Sequence, residues 1–201
     1  MANDFLHKEY DQCFQQLRFY DERQFHLLTY LCTLTSAVAS AIFVLYQLLA
    51  KESYAFYAAL MVLGLIVFVA CVLLFLAMLQ NRLYFVFTAR QINAIRSHCL
   101  KHESPEFTDN QMYTSTNFPA AKPLSVHTMG LVGTAVLVSL YASAVAFGAS
   151  QLMTGTGNVA IAVGALVATL LVCSFGGFDY LKSQSEKAAD RAIHLDKGGK
   201  S

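Results

Sequence analysis

Proline is scarce in this sequence, and its three occurrences all fall between positions 105 and 123. Proline breaks helices because it lacks a backbone N–H donor and its ring clashes with the preceding turn. Glycine, the other strong helix breaker, occurs only once between positions 54 and 104, as Gly64. The sequence from 54 to 104 therefore permits one long, uninterrupted helix.

Charged residues are also few, at 13% of the 201 residues, and four apolar runs contain no Lys, Arg, Asp or Glu. These runs are 25–50, 54–79, 126–150 and 159–178. A hydrocarbon core about 30 Å thick takes roughly 20 apolar residues in helical form. We therefore predict an all-α, polytopic membrane protein with four transmembrane helices.

Transmembrane strands are the alternative explanation for apolar runs. Such strands would alternate between lipid-facing and lumen-facing residues with a period of two. The run "MVLGLIVFVACVLLFLAML" at 61–79 does not alternate in this way. Helices satisfy every backbone hydrogen bond within the segment, so the helical interpretation is favoured.

The placement of basic residues predicts the orientation in the membrane. All of the 14 Lys and Arg residues except Lys51 fall in the segments 1–24, 80–125 and 179–201. Loops rich in Lys and Arg remain on the cytoplasmic side of a membrane. We therefore expect both termini and the central segment to be cytoplasmic. The opening "MANDFLHKEYD" lacks the features of a removable signal peptide.

The sequence divides into five segments on this basis. They are a cytosolic amphipathic N-terminal helix (1–24), a first transmembrane hairpin (25–79), a cytosolic helix with a proline-containing loop (80–125), a second hairpin (126–178) and a cytosolic C-terminal helix and tail (179–201).

The second span is expected to continue into the cytosol as one helix of about 50 residues, which at about 1.5 Å per residue is about 75 Å long. Its projecting part keeps apolar residues at helical spacing, from Phe85 to Cys99. A half-apolar helix in water needs a partner. We predict that the amphipathic helix 5–20 packs on it, within one protomer or between protomers. The alternative places 5–20 in the membrane interface.

Small and hydroxyl side chains form a stripe within the apolar runs. It comprises Thr29, Thr33, Ser36, Ser40 and Gln47 in the first run and Ser139 and Ser143 in the third. Small residues let helix backbones approach closely, and polar rings without midplane charges can line a channel. The stripe is therefore either a helix-packing surface or the lining of a pore formed by several protomers.

Basic and histidine side chains cluster after the second span. The cluster comprises Arg90, Arg96, His98, Lys101 and His102, and we predict a solvated cytosolic interaction surface. Because a metal site needs several convergent ligands, His98 and His102 alone predict no metal. The spacing of Arg96 and His102 resembles the loose Arg-x-His pattern of HEPN-family ribonucleases, which implies a membrane-tethered nuclease as one alternative.

Other chemistry is sparse in the sequence. The five cysteines are dispersed without a CxxC pair, and the sequence contains no glycine-rich phosphate loop, nucleophile elbow or paired-carboxylate motif. We therefore expect no enzyme and no cofactor. Asp179, at the inner end of the fourth span, is expected to form a boundary ion pair with Arg23 or Arg82, with a gating role as the alternative.

The layout resembles a known group of proteins. A charged helix ending in "FYDERQFHLL", an apolar hairpin and the helix "RLYFVFTARQINAIRSHCL" resemble small bacterial membrane proteins of the SLATT type, proposed as membrane-disrupting effectors in antiviral systems. The second hairpin is similar to the four-span membrane subunits of two-gene systems such as Kiwa. The resemblance implies a bacterial inner-membrane location and a role in antiphage defence.

Three functional hypotheses remain open. The leading one is a non-enzymatic, homo-oligomeric inner-membrane protein that acts as a sensor, anchor or pore component, with the lipid bilayer and a soluble cytosolic protein as partners and no nucleic acid. The first alternative is a transporter of ions or small solutes, which the charge-free spans disfavour. The second alternative is the HEPN-like ribonuclease.

Overall fold

The computed structural model describes residues 2–49, 53–102, 114, 118–122 and 124–191. Within them the regular structure is helical, and none of the described residues forms a strand. Most of the predicted proline-containing loop and the predicted tail beyond position 191 lie outside the described residues.

The helices follow one another along the chain with short connections. They are α1 (Ala2–Leu48), α2 (Tyr54–His102), α3 (Val126–Thr154), α4 (Val159–Leu171), a π-helical segment (Val172–Gly176) and α5 (Gly177–Arg191). Four helices, of which the fourth joins α4 to α5, are long and apolar enough to cross a membrane. The predicted all-α, four-span architecture is confirmed at this level.

α1 is a single helix, although the sequence suggested a separate amphipathic helix followed by a span. It runs for 47 residues without a break at the predicted boundary between 24 and 25. Neither proline nor glycine occurs in this stretch, and the charged residues at 21–23 fit a helix surface. Nothing in the local chemistry therefore ends the helix at the boundary.

α2 confirms the predicted continuous helix. Its 49 residues give a length of about 74 Å at about 1.5 Å per residue. The part of α1 before position 25 and the part of α2 after position 79 lie beyond the apolar runs. We call these two parts together the extension. They pack on each other within one chain, and the rings of Tyr20 and Tyr84 stack there with centroids 5.9 Å apart.

The ends of α3 are defined by local chemistry. The Ser125 hydroxyl accepts a hydrogen bond of 3.2 Å from the Thr128 N–H and caps the start of the helix. Gly155 ends it with a φ of 72°, a left-handed conformation that glycine adopts without a steric penalty. The following Asn158 caps the start of α4 through the N–H groups of Ala160 and Ile161.

α2 is the central helix of the fold. It packs on α1, on α3 and on α5, whereas α4 packs on α3. Between the described residues, α4 makes no contact with α1 or α2. The core joins α1, α2, α3 and α5 through buried residues that include Leu31, Val67, Met78, Val138 and Leu181.

The backbones of α2 and α3 approach closely away from the extension. A Cβ atom on Gly148 would lie 3.3 Å from the Met61 Cβ, and one on Gly64 would lie 3.2 Å from the Val145 Cγ2. Small residues at such positions allow tight helix packing. The α2–α3 pair is therefore closely packed at both Gly64 and Gly148.

Candidate functional site

A group of polar side chains is buried where the extension joins the apolar part of the bundle. We call Asp21, Gln24, Asn81, Arg82 and His127 the boundary cluster. Gln24 and Asn81 are each 1% exposed, Arg82 is 2% exposed and His127 is 5% exposed. Burying polar groups costs free energy unless they are hydrogen-bonded. The cluster is therefore maintained by specific contacts between α1, α2, α3 and the segment 118–122.

Asn81 connects α2 to α1. Its Nδ2 donates a hydrogen bond of 2.8 Å to the Tyr20 main-chain oxygen and one of 3.2 Å to the Gln24 Oε1. The Gln24 Nε2 and the Asn81 Oδ1 are buried without a partner among the described residues. Gly130 of α3 leaves room for Gln24, because a Cβ there would lie 3.0 Å from the Gln24 Nε2.

Arg82 connects α2 to the segment that precedes α3. Its Nε donates a hydrogen bond of 2.9 Å to the Ala120 main-chain oxygen, and its Nη2 donates one of 3.4 Å to that of Pro119. The guanidinium lies over the rings of Phe85 and Phe118, 5.3 and 5.7 Å from their centroids. These contacts replace much of the hydration that Arg82 loses on burial.

Arg82 lies outside the apolar runs, and its charge is retained. Burial lowers its pKa to about 10, while the Asp21 carboxylate nearby opposes that change. The guanidinium therefore stays protonated at neutral pH. A buried cation with carbonyl and carboxylate neighbours fixes the relative positions of the elements that supply them.

His127 connects α3 to α1. Its Nε2 is 2.8 Å from the Asp21 Oδ1, and its ring lies 4.6 Å from the ring of Phe85, measured between centroids. The His127 Nδ1 is buried without a partner among the described residues. Together, Asn81, Arg82 and His127 join three helices and a connecting segment at one level of the bundle.

No known protein family, no curated protein and no solved structure matches this chain.

The predicted cluster of basic and histidine residues separates into internal and external members. The Arg90 guanidinium donates hydrogen bonds to the main-chain oxygens of Ser185, at 2.7 Å, and Phe118, at 3.0 and 3.1 Å. The Arg96 Nη2 donates one of 3.0 Å to the Tyr10 hydroxyl. Both arginines therefore hold parts of this chain together.

The other three residues of that prediction, His98, Lys101 and His102, are exposed at the end of α2. The rings of His98 and His102 lie 4.6 Å apart, measured between centroids. Within the described residues, no group of three or more His, Cys, Asp or Glu side chains could hold a metal ion. This exposed group is the tip of the extension that the predicted interaction surface retains.

Arg96 and His102 point in different directions from α2. Six residues of α-helix rotate by about 240° beyond a full turn, and Arg96 packs on Tyr10 of α1 whereas His102 is exposed. Within one chain, the helix does not bring the two side chains of the ribonuclease-like spacing together.

The expected ion pair of Asp179 with Arg23 or Arg82 is not formed between the described residues. Asp179 and Arg23 are both exposed, and the Arg82 guanidinium is engaged by Pro119 and Ala120. The reason is the face that α5 presents, since Leu181 is the residue that enters the core. Asp21, which the sequence argument did not single out, takes the acidic place beside Arg82.

The predicted hydroxyl stripe is also divided. Thr29, Thr33, Ser36, Ser40 and Gln47 are all exposed on α1. In α3, by contrast, Ser139 is buried and donates a hydrogen bond of 2.7 Å to the Ala135 main-chain oxygen, and Ser143 is half-buried. The α1 part of the stripe therefore plays no part in packing within the chain.

An apolar groove lies between α2 and the fourth helical rod. Its volume is about 820 Å³, and it is lined by residues such as Phe68, Val72 and Leu76 on one side and Val172 and Gly176 on the other. The π-helical segment forms part of its wall. Such segments often occur at functional sites.

Proposed function

We propose that this chain is a non-enzymatic, oligomeric membrane protein that acts as a sensor or anchor. Its extension reaches into the cytoplasm and couples a soluble trigger or partner to the four membrane-spanning helices. The proposal places it in the bacterial inner membrane with both termini cytoplasmic, in agreement with the distribution of basic residues.

One observation carries this proposal. α1 and α2 continue from the apolar part into the extension without a break, and the boundary cluster joins them to α3 at the transition. A continuous helix cannot move at one end without moving at the other, so a partner bound at the tip acts directly on the spans. This is the arrangement that a coupling element requires.

The resemblance to SLATT-type and Kiwa-type membrane proteins suggests antiphage defence as the setting. In that setting a phage-derived or phage-induced trigger would act on the extension. The exposed His98, Lys101 and His102 offer the surface for a soluble protein.

A pore is the second candidate, and the exposed hydroxyl stripe of α1 favours it. If several copies turned this stripe toward a shared axis, hydroxyl groups would line the path. A transporter receives less support, because the groove beside α2 is lined mainly by apolar side chains and the apolar runs lack charged residues. Polar solutes need convergent polar groups.

The test is purification of the tagged chain in mild detergent from a native host, with particle mass and co-purifying proteins measured together. The decisive variant removes the tip through His98→Ala, Lys101→Ala and His102→Ala. The matched control changes two exposed residues of α5, Lys182→Ala and Lys187→Ala.

A stoichiometric soluble partner that the tip variant loses and the control retains would support the sensor or anchor. A discrete homo-oligomer without a partner that conducts ions in liposomes would support the pore instead. A monomer without a partner or conductance would contradict both functions.

A further inference from the structure

The two outer helices of the fold each present a face that no other part of the described chain covers. α1 packs on α2 with its inner face, and α4 packs on α3. The outward face of α1 carries Ser36 and Ser40, and that of the fourth rod carries Gly164 and Ala168, all of which are exposed. The two faces do not meet within one chain, because α1 and α4 make no contact there.

The composition of these faces differs from that of ordinary lipid-facing surface in the same protein. Exposed positions on α2 and α3 carry large aliphatic side chains, such as Leu65, Ile66, Leu73, Val136 and Leu140. The faces of α1 and α4 instead carry Ser, Thr, Gly and Ala. Small residues favour close contact between helices, since they let the backbones approach.

The hydroxyl groups on α1 do not require polar partners from elsewhere. The Ser40 hydroxyl donates a hydrogen bond of 2.9 Å to the Ser36 main-chain oxygen, and Thr33 does the same to Thr29 at 2.9 Å. The face of α1 is therefore a smooth surface of small groups. A surface of this kind is suited to another helix.

Charges beyond the apolar runs continue the match. Helices α1 and α4 run in opposite directions, because they are the first and fourth of four successive spans. An antiparallel alignment that places Ser40 opposite Gly164 also places Ser36 opposite Ala168. The same alignment places Glu22 opposite Lys182 and Arg18 opposite Glu186.

The four residues of these charge pairs are exposed, and each pair joins opposite charges. Individual exposed ion pairs contribute little stability, but they select one alignment over others. Charge and side-chain size thus agree on a single register.

We propose that α1 of one copy packs antiparallel on the α4–α5 rod of a second copy, in this register. Lipid would match only the apolar part of the face, and a soluble protein only the charged part. A second copy supplies both parts in the required order. Since the two surfaces differ, the contact is head-to-tail and closes into a ring when the rotation permits.

This interface deepens the proposed oligomeric function and rests on it. The test uses chains in which the five native cysteines are replaced, with retention of the size-exclusion profile checked first. One tagged chain carries Ser40→Cys, and a differently tagged chain carries Gly164→Cys. They are co-expressed, and isolated membranes are oxidised. The matched control replaces the second chain with one carrying Val136→Cys, an exposed position on α3.

We expect the Ser40–Gly164 combination to form disulfide-linked heterodimers several-fold more than the control combination. Reversal of Glu22 alone (E22K) should reduce the yield, and adding Lys182→Glu should restore it. Cross-linking of Ser40→Cys chains to each other at the higher yield would instead indicate an α1–α1 contact and overturn the proposal.

The two possible failures are distinguishable by particle mass in mild detergent. A discrete homo-oligomer that lacks the Ser40–Gly164 cross-link would refute this interface and leave the oligomeric function standing. A monomer in membranes and detergent would refute both.

Discussion

The side-chain amide of Asn81 donates a hydrogen bond of 2.8 Å to the main-chain oxygen of Tyr20, although the two residues are 61 positions apart. The acceptor belongs to a helical backbone, so the bond fixes the axial position of α2 relative to α1. Displacement of either helix by one residue would move the oxygen by about 1.5 Å along the axis. Asn81 therefore sets the register of the extension on the spans.

Replacement of Asn81 should weaken this junction. Asn81→Leu removes both hydrogen bonds and leaves the buried Gln24 amide with fewer partners, which costs about 1–3 kcal/mol. We expect a lower apparent melting temperature in detergent, measured as the fraction of protein that stays in the main size-exclusion peak after heating.

The control for Asn81 is its exposed neighbour Gln80, which bonds only to the Tyr84 hydroxyl. Gln80→Ala should leave the melting temperature nearly unchanged. Equal losses in the two variants would show that the Asn81 contacts have no special role.

Two glycines one turn apart on α3 should respond in opposite ways to alanine. A Cβ on Gly130 would lie 3.0 Å from the Gln24 Nε2 and 3.3 Å from the Leu28 Cδ2, whereas one on Gly133 would have nothing within 4 Å. Gly130→Ala should therefore lower the melting temperature by displacing α1. Gly133→Ala should be neutral or raise it, since alanine is favoured over glycine in helices by up to about 1 kcal/mol.

The glycine pair can also be compared by cysteine accessibility at Gln24, which is buried in the native chain. If Gly130→Ala left both the melting temperature and the labelling of Gln24→Cys unchanged, the close contact of α1 with α3 at this level would be wrong.

Loss of Arg82 should release the segment that precedes α3. Arg82→Gln removes a buried cation that donates to Pro119 and Ala120, and hydrogen bonds to charged groups contribute about 1.5–3 kcal/mol. We expect faster amide hydrogen exchange in residues 118–122, measured by mass spectrometry. Arg23→Gln, which changes an exposed arginine, should leave that exchange as it is; a similar increase there would refute the specific role of Arg82.

Arg96 and His102 should have unequal effects. Arg96→Ala removes the hydrogen bond to Tyr10 and the stacking on its ring, so amide exchange in the N-terminal part of α1 should accelerate. His102→Ala changes an exposed side chain and should have little effect. A purified protein that cleaved RNA and lost this activity in both variants, with assembly intact, would overturn the non-enzymatic function.

The architecture was accessible from sequence because it depends on hydropathy and on helix breakers. Four charge-free runs and the absence of proline from 54 to 104 were sufficient for the spans and for the length of α2. The continuity of α1 was not predicted, since the charges at 21–23 resemble a boundary but do not interrupt a helix.

The boundary cluster was less accessible, because it depends on which helix faces meet. Asn81 and Arg82 follow the second apolar run directly, which is a signal for a polar boundary layer. Their partners Tyr20, Asp21 and Pro119 become neighbours only through tertiary packing. The same reason explains why Asp179 was expected beside Arg82, although α5 turns Leu181 inward instead.

The π-helical segment gives the fourth rod a rotational phase that a continuous α-helix would not have. A π turn holds one residue more than an α turn, and one residue of α-helix corresponds to a rotation of about 100°. The positions of Leu181 against the core and of Ser185 at Arg90 both lie beyond this insertion. Tightening of Val172–Gly176 into an α turn would therefore act as a crank, turning the far end of α5 about its own axis while α4 stayed in place against α3.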